Sequence, residues 1–211
     1  MVEIKQFGLR PYMEMWDAMR AYTEKRDVSA VDQIWLVQHP SVFTQGLAGK
    51  AEHVIAPGDI PIIHIDRGGQ VTYHGSGQII MYLLLDIRRE HVGIRQLINM
   101  IENSVINFLG KHGVEARSRL DAPGVYVEGR KIASLGLRIR KGCTYHGVAL
   151  NVDMDLSPFK RINPCGLKGI QMTQLRDCGV TLTAEEAGME LATIFREEWQ
   201  RSAISSLQEV V

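Results

Sequence analysis

Cys165 stands in Asn163-Pro164-Cys165-Gly166-Leu167-Lys168-Gly169, a stretch with no periodicity that would bury it. Proline fixes φ ahead of the thiol, and two glycines allow close backbone approach behind it. Core cysteines sit among branched apolar neighbours, whereas nucleophilic ones sit on rigid, partly open turns near cations. Lys160, Arg161 and Lys168 all lie within five residues of this thiol. The placement suits a thiolate presented for covalent chemistry. Lys131 is the second reactive candidate. It opens the small-residue run Ile132-Ala133-Ser134-Leu135-Gly136 just past a turn. A lysine beside a turn is most often a solvated charge, but this apolar sequence would desolvate the ammonium, and a desolvated lysine exchanges protons more readily near neutrality. Cys143 and Cys178 lie in plain polar turns, with nothing around them to suggest a nucleophile.

Two further segments resist a purely structural explanation. Arg67-Gly68-Gly69-Gln70-Val71-Thr72-Tyr73-His74-Gly75-Ser76-Gly77-Gln78 reads as a loop whose backbone approaches a ligand closely, although a glycine-rich turn between strands accounts for the same composition. It is no phosphate loop. The pattern G-x-x-x-x-G-K-[ST] is absent, and Gly46-Leu47-Ala48-Gly49-Lys50-Ala51 misses both the spacing and the hydroxyl. In Thr144-Tyr145-His146-Gly147-Val148-Ala149-Leu150-Asn151-Val152, the residues after His146 could line an apolar channel, while His146 itself equally suits a satisfied structural histidine.

These groups must be positioned by a chain of 211 residues, long enough for one substantial core and too short for two comfortable domains. Hydrophobic content of 45% and charged content of 23% are those of a globular protein. Lys+Arg and Asp+Glu both total 24, so no global field draws the chain to nucleic acid or to a membrane. No charged n-region followed by an apolar h-region opens the sequence. The longest apolar run, Ile79 to Leu85, suits a buried strand and is too short for a bilayer. Three cysteines without a C-x-x-C pair argue against a disulfide framework or a thiolate zinc site, so the expectation is a reducing, cytoplasmic compartment and no metal.

A strand is expected over 2–9, then a helix with Pro11 at its first position and Met13, Trp16, Met19 and Thr23 on one face. Short strands follow at 34–37 and 61–65, and the apolar segment 78–87 reads as a central strand. Residues 93–112 carry the best helical period, with Ile94, Leu97, Ile98, Ile101, Val105, Phe108 and Leu109 in phase and Gly113 closing it. Glu128-Gly129 between two strand-like runs is a two-residue hairpin signal. A strand over 144–152 follows, and Thr183 with Glu186 forms a capping box that opens a last helix with Ala187, Leu191, Ile194 and Phe195 inward. No linker or repeat is visible. The whole chain, 1–211, reads as one α+β domain.

Taken together, 67–78, 122–138, 145–152 and 163–174, with His39-Pro40 and Thr44-Gln45-Gly46 upstream, resemble the lipoyl(octanoyl) transferases, the octanoyl-[acyl carrier protein]:protein N-octanoyltransferases of lipoate biosynthesis. The resemblance implies a mixed central β-sheet flanked by helices, as in the biotin/lipoate protein ligases. It implies Cys165 as acyl-thioester nucleophile and Lys131 as its proton-exchange partner. Substrate contacts are implied at Arg67, Gly68, Gly69, Gln70, Val71, Thr72, Tyr73 and His74, at Ser134, Leu135 and Gly136, and at His146, Gly147, Val148 and Ala149. It also implies octanoyl-acyl carrier protein as donor, lipoyl domains of 2-oxoacid dehydrogenase complexes and the glycine-cleavage H protein as acceptors, a monomer, and no cofactor. Ser76 departs from the family pattern, which usually has Pro between the two glycines, and gives the loop more freedom.

The residue types fit that chemistry. An acyl thioester is already activated, so transfer needs no ATP, in keeping with the missing phosphate loop, and a thiolate exchanges with thioesters better than an alkoxide. Backbone N–H groups near Gly166 or in 67–74 are candidate oxyanion donors. Three other readings are open: an ATP-dependent lipoate or biotin ligase, in which Cys165 is incidental; a non-catalytic acyl-carrier-binding module; and a cysteine hydrolase with His74 or His146 as base. Carrier proteins are acidic, so a basic rim is expected, at Arg138, Arg140 and Lys141 or at Lys160 and Arg161.

Overall fold

The computed structural model describes residues 2–164 and 169–208, with side chains to residue 202. Among the described residues the chain builds ten strands and three α-helices: β1 (Val2–Leu9), α1 (Tyr12–Lys25), β2 (Asp32–Gln38), β3 (Val42–Gln45), β4 (Ile62–His64), β5 (Val71–His74), β6 (Gln78–Leu84), α2 (Ile94–Lys111), β7 (Arg117–Ser118), β8 (Val125–Val127), β9 (Arg130–Arg140), β10 (Cys143–Asn151) and α3 (Ala184–Gln208). Seven strands form a mixed sheet in the order β1-β2-β6-β10-β9-β8-β7, and β4-β3-β5 form a smaller one. In the large sheet β1 runs parallel to β2, while the other pairs are antiparallel. This is an α+β domain.

The unbroken apolar run of β6 follows from burial on both faces. With a period of two, Ile79, Met81 and Leu83 join the layer formed with α2 and α3, while Ile80, Tyr82 and Leu84 join Met15 and Met19 of α1. The strand lies in the interior of the sheet, between β2 and β10. Helix α2 buries Leu97, Met100, Ile101, Val105, Phe108 and Leu109. Helix α3 opens on the capping box: Thr183 N–H donates to Glu186 Oε2 at 2.8 Å and Glu186 N–H to Thr183 Oγ1 at 3.2 Å. The β8–β9 hairpin turns on Glu128 and Gly129, both at positive φ (49° and 78°), as a type I′ turn requires.

Three local expectations change. Pro11 caps α1 rather than entering it, and the buried stripe is Tyr12, Met15, Met19 and Thr23, which leaves Met13 exposed one step round the helix. Residues 67–78 contain a real strand, β5, whose four residues are too few to show a period among the glycines. The segment 78–87 stops being strand at Leu84, because Asp86 Oδ1 accepts the N–H groups of Arg88 and Arg89 and turns the chain.

Candidate active site

The glycine-rich segment, β9 and β10 come together around a narrow cavity of about 60 Å³. That is tighter than the roughly 300–1,000 Å³ usual for small-ligand sites. All the substrate-contact residues expected from sequence line it except Gly68 and Tyr73. Gly68 instead donates its N–H to Leu137 O at 2.9 Å, tying the loop to β9. Tyr73 points into a small core, its ring against Phe43 and Phe159 and its hydroxyl 3.0 Å from Ser41 Oγ. Tyr12, Ile80 and Tyr82 complete the lining. Sequence reading missed all three, although the start of α1 one residue after Pro11 was the available signal for Tyr12.

The glycine-rich turn is fixed from outside. Gly77 (φ +84°) lies so close to the next segment that a Cβ there would collide with the carbonyl of Asp153. Its N–H donates to Gln38 Oε1 at 2.8 Å, and its carbonyl accepts from Val152 and Asp153. These bonds hold the turn despite Ser76.

Behind the cavity runs a buried chain of hydrogen bonds. Arg67 donates to Thr44 O (2.7 Å) and Thr44 Oγ1 (3.0 Å). Gln78 Nε2 donates to Asn151 Oδ1 (2.9 Å), so its Oε1 accepts from His74 Nδ1 (2.7 Å). His74 Nε2 is then the acceptor for the Thr44 hydroxyl (3.2 Å). Asn151 Nδ2 continues the chain to Thr173 O (2.9 Å), and Thr173 N–H donates to Lys131 O (2.9 Å). A parallel set links Tyr12, Tyr82 and His39: His39 Nδ1 donates to Arg10 O (2.7 Å), leaving Nε2 to accept from the Tyr82 hydroxyl (2.7 Å). Burial pushes His39 down to about 4 and His74 down to about 3, and lifts the phenols of Tyr12 and Tyr82 above their usual range. These are neutral groups near pH 7.

His146 adopts φ +61° within β10, a costly conformation for a non-glycine residue. Its Nε2 lies 3.3 Å from Asp66 Oδ1, and its Nδ1 is buried with no hydrogen-bond partner among the described residues. Asp66 also accepts from Trp16 Nε1 (2.8 Å) and from the Tyr145 hydroxyl. Burial alone would raise the Asp66 carboxyl, but these three hydrogen bonds outweigh it and hold it well below the usual carboxylate range. Burial lowers His146, against the pull of Asp66.

Lys131 enters β9 three residues before the lining begins and is fully buried. Its Nζ donates to Pro123 O at 2.9 Å and stands 5.4 Å from the centre of the Tyr126 ring. Its main chain pairs with the segment that follows the cysteine turn: Lys131 N–H donates to Gln171 O (2.8 Å) and Lys131 O accepts from Thr173. Cys165, with Gly166 and Lys168, lies outside the described residues. The other two cysteines are free, and burial raises both thiols, which argues against either as a nucleophile. Of the candidate basic rim, Arg140 and Lys141 both pair with Glu24 (2.8 and 2.6 Å), and Arg161 lies 3.9 Å from Asp59. The first patch is therefore partly neutralised.

The fold resembles that of lipoate-protein ligase A with bound ATP (TM-score 0.76, 18% identity, covering 97% of this chain and 94% of that one). It also resembles the biotin protein ligase of Aquifex aeolicus (TM-score 0.56, 14% identity, 99% and 74%). At such identities the likeness concerns the fold. In sequence, residues 11–196 match the model of the lipoyl protein ligase A/B catalytic domain. A relative from Shewanella pealeana (strain ATCC 700345 / ANG-SQ1), named octanoyltransferase, is 57% identical over 197 residues, 93% of this chain and 90% of that protein. The chain belongs to the octanoyltransferase family, built on the lipoyl protein ligase A/B catalytic domain.

Proposed function

We propose that this transferase moves an octanoyl group from octanoyl-acyl carrier protein to a specific lysine of lipoyl domains and of the glycine-cleavage H protein, through a thioester on Cys165. The observation that carries the reading is how the cavity is walled. One wall is the glycine-rich loop, another is β9 and β10, and the same strand β9 carries a fully buried lysine whose backbone is bonded to the segment following the Cys165 turn.

In the first half-reaction the Cys165 thiolate attacks the thioester carbonyl of the donor. The new C–S bond forms, the pantetheine sulfur leaves, and the Lys131 ammonium supplies the proton that converts it to a thiol. In the second, the acceptor lysine ammonium passes a proton to the now neutral Lys131, and its amine attacks the enzyme thioester. The amide forms, Cys165 departs as thiolate beside the restored Lys131 ammonium, and the second nitrogen proton goes to solvent. Burial of Lys131 supports this role, since a buried ammonium gains most from a neighbouring thiolate. The apolar parts of Ile80, Leu135, Val148 and Ala149 suit an alkyl chain.

Backbone N–H groups of the glycine-rich loop are proposed as donors to the developing oxyanion. The reading places the enzyme in the cytoplasm as a monomer, and no helix among the described residues is long and apolar enough to cross a membrane. Incubation with octanoyl-acyl carrier protein should add one octanoyl mass, mapping to Cys165, and a lipoyl domain should discharge it without ATP. A Cys165→Ser variant that transfers octanoate as fast as wild type would defeat the mechanism. Dependence on ATP, with pyrophosphate release from free octanoate, would replace it with a ligase reaction.

A further inference from the structure

Lys131 Nζ donates to Pro123 O (2.9 Å), and the amide that carries this oxygen also carries the Gly124 N–H, which donates to Glu102 Oε1 (2.9 Å). One peptide group is thus held between an ammonium on its oxygen and a carboxylate on its nitrogen. Three features show that the arrangement is built. Glu102, on α2, is 7% exposed among mostly apolar inward residues of that helix, a costly place for a carboxylate without a partner. Gly124 has φ +141°, and a Cβ there would lie 2.7 Å from Ala133 O and closer still to Lys131 Cε, so only glycine lets the peptide lie flush against the lysine. The preceding residue is pinned as well, by the Tyr126 hydroxyl donating to Ala122 O at 2.8 Å.

We infer that Glu102 is a positioning residue that acts on Lys131 through the Pro123–Gly124 peptide, orienting its Nζ. A carboxylate accepting from an amide N–H polarises that amide and makes its oxygen a better acceptor. The carboxylate and the ammonium also compensate each other's charge, with the peptide as spacer. The relay therefore aims Nζ through one of its hydrogens while keeping the compensating charge a peptide's width away, so the lysine can give up and regain a proton without breaking a contact ion pair with Glu102. The inference rests on the Cys165–Lys131 reading and extends it to the residue that sets the lysine.

Among the described residues, the other titratable groups of the neighbouring elements are engaged. Tyr126 of β8 presents its ring to Lys131 Nζ, and Arg119, bonded to Asp121, lies over that same ring (5.1 Å). Arg130 of β9 is paired with Glu128 (2.9 Å), and on α3, packed against α2, Glu198 accepts from Ser104 and Glu190 lies 2.9 Å from His112.

The test is the pH profile of Cys165 alkylation by iodoacetamide, mapped to that residue, in wild type, Lys131→Met, Glu102→Gln and the double variant. Glutamine can still accept from Gly124 N–H through its Oε1, so Glu102→Gln should fold while removing only the charge. The expected result is a profile displaced to higher pH, with alkylation near neutrality slowed about threefold to tenfold. Transfer kcat should fall with it, donor KM should hold, and the loss should shrink as pH rises. In the Lys131→Met background Glu102→Gln should add no further shift. A Glu102→Gln profile superimposed on wild type while Lys131→Met moves it overturns the role of Glu102, and so do additive shifts in the double variant. If Lys131→Met leaves the profile in place, the dyad itself fails and the inference falls with it.

Discussion

Gly124→Ala is the most discriminating single substitution at the site, because the structure shows what the added methyl would meet. Alanine would have to hold φ +141° with its Cβ 2.7 Å from a backbone oxygen in β9 and closer still to Lys131 Cε. The lysine end is flexible and can swing, but Ala133 O is fixed in the β9–β10 ladder. An L-residue in a glycine-only region costs about 1–3 kcal/mol, and overpacking a fixed neighbour typically another ~1–3 kcal/mol. The sum, about 2–6 kcal/mol, lowers the melting temperature by roughly 4–24 °C for a chain of this size. Two other glycines calibrate the result. Gly129, at φ +78°, has nothing within 4 Å of the place a Cβ would take, so Gly129→Ala costs only the left-handed strain of about 1–2 kcal/mol. Gly110 lies inside α2 with open space around it, so Gly110→Ala stabilises by about 0.5–1 kcal/mol. Thermal melts of the three variants give the ordering, and single-turnover acylation of Gly124→Ala below its melting point shows whether the displaced Lys131 also slows the chemistry. A Gly124→Ala protein that melts within about 2 °C of wild type and acylates at the wild-type rate refutes the reasoning on both counts.

The buried histidines make stability depend on pH. Both folded values, about 4 for His39 and about 3 for His74, are depressed below the ordinary histidine value of 6.5. The stability these groups contribute is therefore complete above 6.5 and is lost as pH falls toward 4 and then 3, because the unfolded chain takes up protons that the fold refuses; each contributes a slope approaching ~1.4 kcal/mol per pH unit in that window. Melts from about pH 7 to about pH 4.5 should show a shallower decline in His39→Gln than in wild type, and parallel curves would contradict the assignment. Ala149→Phe places a ring in the narrow cavity and should raise KM for an octanoyl donor at least about tenfold while sparing a butyryl donor, as measured by transfer to a lipoyl domain; equal loss for both chain lengths would show that the cavity does not hold the acyl chain. Thr44→Val and Asn151→Leu sit at separated points of the hydrogen-bond chain behind the cavity. A double-mutant cycle on unfolding should show coupling of about 0.5–3 kcal/mol, whereas additivity within about 0.5 kcal/mol would mean that the chain does not act as a unit.

The elements with strong periodicity were legible in the sequence. Residues 93–112 and the Thr183/Glu186 cap announce α2 and α3 because one face of α2 is mostly apolar and the cap has a specific pairing. Strands β3 and β5 were not legible, because four-residue strands in a small second sheet carry no measurable period and β5 is embedded among glycines. Around the cavity, 67–74 could be read because it combines glycines with polar residues in a pattern that packing does not need, and 146–149 as residues that could line an apolar channel, whereas 134–136 followed only from the family resemblance. Tyr12 and Tyr82 were hidden for the opposite reason. Each sits in an ordinary apolar pattern, the first at a helix start and the second within the run of β6, so residue type alone does not mark it as lining a cavity. Glu102 is similar: an acid in a helix reads as a solvated charge until the fold turns it toward Gly124. The His146 conformation, positive φ in mid-strand, leaves no trace in residue type at all.

The two faces of the large sheet divide the work. The layer under α2 and α3 is almost wholly apolar and supplies the bulk of the hydrophobic burial. The opposite face holds the cavity and a dense set of buried polar groups, among them Arg67, Thr44, His74, Gln78, Asn151 and His39. Such a network contributes little net stability, since each bond mainly offsets desolvation, but each missing partner costs about 1–3 kcal/mol. Its value lies in fixing geometry. The glycine-rich loop is rooted in the small β4-β3-β5 sheet, which packs its own separate apolar cluster, whereas Lys131 belongs to the large sheet. Without bonds between the two sheets, the loop and Lys131 could shift independently by fractions of an ångström. The bonds from Thr44 and His74 through Gln78 and Asn151 to Thr173 add to the direct tie between Gly68 and Leu137, and they end on the carbonyl of Lys131. Glu102 anchors the same lysine from the apolar side, through the Pro123–Gly124 peptide. Lys131 is therefore held by its backbone from the glycine-rich loop and by its side chain from the helical layer.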